Sequence, residues 1–148
     1  MHAPKIDEHE WVVVADGAKA LILQNVGDRK FPNLRTRVVR QQEVPATHEI
    51  GSDAPGRAFQ SAGTMRSAVD QTDWHRQYED RFLRALAHDL DRAARNGEIK
   101  SLLLVAPPRA LGVLRKHYTP GLRAVLRTEV ERDYVKLPVA EIEQRLAG

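Results

Sequence analysis

Two short apolar runs, Trp11-Val12-Val13-Val14-Ala15 and Leu102-Leu103-Leu104-Val105-Ala106, have the length of strands and are too short for interior helices. Runs without polar alternation fit strands covered on both faces, as in a sheet held between helices. The first is followed by Asp16-Gly17, a hairpin signal, and by a returning strand over Lys19-Ala20-Leu21-Ile22-Leu23-Gln24. Gly27, Asp28 and Pro32 mark the next turn. Leu34 to Glu43 alternates in part, with Val38 and Val39 interrupting, and predicts a third strand with an exposed arginine side.

Further along, Trp74, Tyr78, Phe82, Leu86 and Leu90 fall four apart, with Leu83, Ala85, Ala93 and Ala94 widening the stripe. This predicts an amphipathic helix from about Asp73 to Arg95, its aromatics in the core and Asn96-Gly97 as its left-handed stop. After the second apolar run, Pro107 and Pro108 end the strand and open a helix carrying Leu111, Leu114 and Tyr118. Gly112 inside that helix suggests close packing against a neighbour. Thr119-Pro120 starts a short helix. Val125 to Tyr134 fits either a continued helix or a strand, and Val139, Ile142 and Leu146 form a last amphipathic helix. With the strand option the order is β-β-β-α-β-α-β-α. That order predicts an α/β domain of ribonuclease H-like arrangement, a mixed five-stranded sheet with helices on both faces.

Two segments fall outside this pattern. Residues 1–10 read as a disordered lead-in to a single domain over 11–148. Val44 to Gln71 shows no periodicity, contains Pro45, Gly51, Pro55, Gly56 and Gly63, and reads as a loop. Loops of that length within compact domains are uncommon and usually functional or disordered.

Composition narrows the function classes. At 148 residues the chain is long enough for one self-sufficient core. No apolar stretch nears the roughly 20 residues of a membrane span, and the N-terminus lacks the pattern of a signal peptide, so a cytoplasmic protein without membrane contact is expected. The absence of cysteine excludes disulfides, thiolate metal sites and cysteine nucleophiles. The net charge of +3 is mild, but its distribution is uneven. Between Arg29 and Arg66 the cations Arg29, Lys30, Arg35, Arg37, Arg40, Arg57 and Arg66 outnumber Glu43, Glu49 and Asp53. Arginine is the side chain best suited to bidentate phosphate contacts.

No enzyme signature emerges. Asp16 and Glu79, with Asp133 more distant, are the acids that a two-metal nuclease would recruit, but the strand at Ala106 ends in two prolines where such a site needs a carboxylate. Pro107 and Pro108 likewise remove two backbone donors that a phosphate cradle needs. His75 and Glu79 are one helical turn apart without a third ligand nearby, and Ser61, Ser67 and Ser101 lack a nucleophile elbow. No metal and no cofactor is expected.

Trp11 to Ala18, Pro55-Gly56-Arg57, and Ala106-Pro107-Pro108-Arg109-Ala110-Leu111-Gly112-Val113-Leu114-Arg115 together resemble the bacterial host attachment family, proteins described as required for attachment to host cells. The resemblance runs from Trp11 to Leu146. More distantly, the chain is similar to the middle domain of archaeal and eukaryotic peptide-chain release factors. Val14-Ala15-Asp16-Gly17 matches its hairpin opening, and Gly56-Arg57-Ala58-Phe59-Gln60-Ser61 stands where that domain carries Gly-Arg-Gly-Gly-Gln-Ser. In those factors the loop helps water attack peptidyl-tRNA. Here Ala58-Phe59 replaces two glycines and obstructs the backbone conformations they allow.

The resemblance therefore implies a non-catalytic module that contacts rRNA, tRNA or the ribosome through the 44–71 loop. Arg57, Phe59, Gln60, Ser61 and Arg66 are its candidate contacts, with Arg37 and Arg40 from the third strand. It also implies that Val125 to Glu131 is the fifth strand. Two alternatives stand beside it. One is a peptidyl-tRNA or ester hydrolase that positions water with Gln60. The other is a protein-interaction module that regulates attachment to host cells.

Overall fold

The computed structural model describes residues 5–42 and 60–147, with 60–74 as backbone only. Three strands come first: β1 (Trp11–Ala15), β2 (Lys19–Asn25) and β3 (Leu34–Gln41). The long helix α1 (Gln60–Arg95) follows, then β4 (Leu102–Ala106), α2 (Pro108–Arg115), α3 (Pro120–Val125), β5 (Leu126–Glu131) and α4 (Val139–Ala147). The sheet order is β3-β2-β1-β4-β5. β1 to β3 form an antiparallel meander, while β4 lies parallel to both β1 and β5. The domain is thus α/β with a mixed five-stranded sheet, and the ambiguous segment is a strand.

Alternate side chains of the central strands feed two cores. Val13, Ala20, Ile22, Leu102 and Leu104 point to one face, where Leu83, Leu86, Ala87 and Leu90 of α1, Leu111 and Leu114 of α2, and Leu122 of α3 cover them. Val12, Val14, Leu21, Leu23, Leu103 and Val105 point to the other, under Ile142 and Leu146 of α4. Every residue of β4 is buried, as its unbroken apolar run requires.

The structure departs from the sequence reading at four places. Ile6 is fully buried in the α4-side core, so residues 5–10 are an integral part of the domain rather than a disordered lead-in. Helix α1 begins at Gln60 rather than near Asp73, so residues 60–71 are helix and not loop. Residues 60–71 include the helix formers Gln60, Ala62, Met65, Arg66, Ala68 and Gln71, but Gly63 and the β-branched and hydroxyl residues around it hide any apolar period. The rest of the expected loop, 44–59, lies outside the described residues. Along α1 the buried stripe is Leu83, Leu86, Ala87 and Leu90; Phe82 and Tyr78 are only half-buried, and the Trp74 side chain lies outside the described set. Finally, Gly112 is not pressed by any neighbour among the described residues: a β-carbon there meets none of them within 4 Å.

Candidate functional site

The hairpin signal is realised by Asp16. Its Oδ1 accepts from the backbone N–H of Ala18 at 2.8 Å and of Lys19 at 2.9 Å, so the carboxylate is committed to the turn. Beside it, at the ends of β1 and β4, lies a cleft of about 170 Å³ bordered by Gly17, Glu79, Pro107, Arg109 and Ala110. Glu79 passes so close to Gly17 that a β-carbon there would sit 2.7 Å from its Cγ. The Glu79 carboxylate faces Arg109 Nη2 at 3.4 Å, an ion pair within the cleft itself. Among the described residues no group of three or more His, Cys, Asp or Glu side chains is placed to hold a metal. The cleft is also smaller than the roughly 300 Å³ at which small-molecule sites begin.

The other candidate is the open side of β3. This edge strand buries Leu34 and exposes its other seven residues. Its pairing with β2 carries a bulge: Leu23 opposes Thr36 and Ile22 opposes Val38, leaving Arg37 as the extra residue. Directly opposed residues share a face. Arg35 opposes Gln24, Val38 opposes Ile22 and Arg40 opposes Ala20, and Ile22 and Ala20 belong to the core beneath α1. Arg37 joins the same side, its Nε donating to Gln24 Oε1 at 3.2 Å. The bulge therefore aligns Arg35, Arg37 and Arg40 on the α1 side of the sheet.

Helix α1 does not cover this edge. Between them runs a groove of about 450 Å³, bordered by Val38, Arg40 and Gln41 on the strand and by Phe82, Ala85 and Leu86 on the helix. Val38 and Val39 are 42% and 52% exposed. Arg40 Nη1 reaches across to Asp89 Oδ2 at 2.6 Å and ties the strand to the helix. At the far end of β3, Gln42 donates its backbone N–H to Ala18 O at 2.8 Å and its side-chain Nε2 to Gly17 O at 3.1 Å. The chain thus leaves β3 at the same end of the sheet as the Asp16 turn.

Of the expected RNA contacts, the structure brings Arg37 and Arg40 together on one surface and adds Arg35. Arg57 and Phe59 lie outside the described residues. Gln60, Ser61 and Arg66 fall on the first turns of α1, where only the backbone is described. The interruption of alternation at Val38-Val39 is the sequence trace of the bulge that aligns the arginines.

A family model described as "Protein required for attachment to host cells" matches residues 11–146. Among solved structures the chain is similar to an archaeal translation termination factor, at 12% identity and a TM-score of 0.48, over 90% of this chain and 36% of that one. The chain thus spans about a third of that factor's length. None of the curated proteins matches it.

Proposed function

The chain belongs to the family of proteins required for attachment to host cells, and we propose that it is a non-catalytic cytoplasmic module that contacts RNA, free or ribosomal, along the open side of β3. The observation that carries this reading is the bulge at Arg37, which sets three arginines on one side of an exposed edge strand. Guanidinium groups spaced along a strand suit successive phosphates of a single-stranded backbone. The adjoining groove has apolar walls at Val38, Phe82 and Ala85 that can shelter bases.

Binding that rests on phosphate contacts releases counterions, and log K falls with log salt by about 0.7 for each phosphate neutralised on a single strand. Anisotropy of labelled oligouridine, titrated against salt, tests this. The Arg35→Ala/Arg37→Ala double variant is expected to bind more weakly at low salt and with a slope shallower by about 1.4. Affinity independent of salt, or a double variant that behaves as wild type, removes the reading.

A further inference from the structure

The turn between β2 and β3 is built from beneath by Asn25, a fully buried polar side chain. Its Nδ2 donates to the carbonyls of Ile6 at 3.3 Å, Asp7 at 3.1 Å and Asp28 at 3.2 Å. Its Oδ1 accepts from the N–H of Gly27 at 3.0 Å and of Asn33 at 2.8 Å. Asp28 closes the tip: its Oδ1 accepts from Phe31 N–H at 2.6 Å, and its own N–H donates to Phe31 O at 3.2 Å. Gly27 lies against the Phe31 carbonyl, with no room for a β-carbon.

These bonds fix the backbone of Phe31, and the residue is 69% exposed. Lys30 Nζ stands over its ring, 5.6 Å from the centroid. Arg29 precedes this pair in the chain, and Arg35 begins the arginine series just beyond. A firmly anchored turn that holds an aromatic ring in solvent is a platform, since the ring gains nothing from burial there. Its cationic surroundings select the occupant. A flat π face among cations suits a base whose flanking phosphates meet those charges, which is how single strands are held without sequence preference. An apolar protein partner would call for a broader apolar patch.

We propose that Phe31 is a base-stacking residue, placed at one end of a single-stranded RNA track whose phosphates lie along Arg35 and Arg37. This rests on the reading of β3 given above and extends its footprint to the β2–β3 turn. At about 3.3 Å per residue, the eight residues of β3 make a track about 26 Å long.

Two probes separate stacking from charge: labelled oligouridine, which has bases, and inorganic polyphosphate, which has none. Phe31→Ala is expected to lose about tenfold in oligouridine affinity, a typical loss for one stacked base, while its polyphosphate affinity stays that of wild type. Phe31→Tyr is expected to bind both probes as wild type does. An alanine variant that matches wild type on oligouridine overturns the stacking role while leaving the arginine reading intact. Equal loss on both probes overturns it as well, because the turn then acts through its charge or its fold. Wild-type protein that binds neither probe removes both proposals.

Discussion

Glu10 stands just before β1, and its carboxylate is fully buried at the starts of three parallel strands. Arg127 of β5 donates to it from Nε at 2.6 Å and from Nη2 at 2.8 Å, Ser101 before β4 donates its hydroxyl at 2.7 Å, and the Asp7 N–H donates at 2.9 Å. Burial raises the carboxyl pKa, but these hydrogen bonds together outweigh it, so the group lies below the ordinary 4.5. Glu129 on β5 is also lowered, by hydrogen bonds from Arg115 and Tyr118 that outweigh its burial. A carboxyl whose folded pKa is depressed contributes stability above its unfolded value and loses it as pH falls through the folded one. Thermal stability is therefore expected to hold at neutral pH and to fall as the solution is acidified below about 4.5. Glu10→Gln should cost about 2 kcal/mol at pH 7 and flatten that acid limb; a variant with the wild-type pH profile would contradict this account. None of the charge clip was legible in the sequence, because Glu10 reads as one more polar residue before a strand and its side-chain partners Ser101 and Arg127 lie 91 and 117 positions away.

At the scale of elements, what could be read depended on whether a segment buries a continuous face. β1, β2 and β4 have apolar runs and were readable almost to the residue. β5 was not, because it is only half-buried and Leu122, Leu126, Val130 and Tyr134 also fall four apart, the spacing of a helix face. The first turns of α1 were lost for the related reason that nothing in 60–71 repeats with an apolar period. Within the candidate site the basic strand was legible and Phe31 was not, since an aromatic residue in a turn carries no periodic signal. Helix α2 offers a sharp test of packing. Gly112 lies in its interior at no positive φ, and among the described residues none comes within 4 Å of the position a β-carbon would take. Gly112→Ala should stabilise the protein by about 0.5–1 kcal/mol, through helix propensity and a less free unfolded chain. Denaturant midpoints compare the two, and a loss of stability would reveal a neighbour that the structure does not place there.

For the molecule as a whole, the segment before β1 behaves as a further packing element. Ile6 fills the α4-side core, its carbonyl and that of Asp7 accept from Asn25, and the carbonyl of Lys5 accepts from Arg127. Removing residues 1–9 is expected to lower stability by about 3 kcal/mol, the burial of one large aliphatic side chain plus the loss of these bonds. An unchanged urea midpoint would show that the segment is dispensable. The parallel pairing of β1 with β4 carries a different consequence, one of timing. Trp11 pairs with Leu102, so the inner edge of the early meander, complete at Gln41, stays open until the ribosome has made about 60 more residues. At about 5–20 residues per second that is a wait of about three to twelve seconds. During it Val12, Val13 and Val14 have no mate on one flank, which makes the newborn amino-terminal half a natural client for chaperones and the moment of synthesis the period of greatest aggregation hazard.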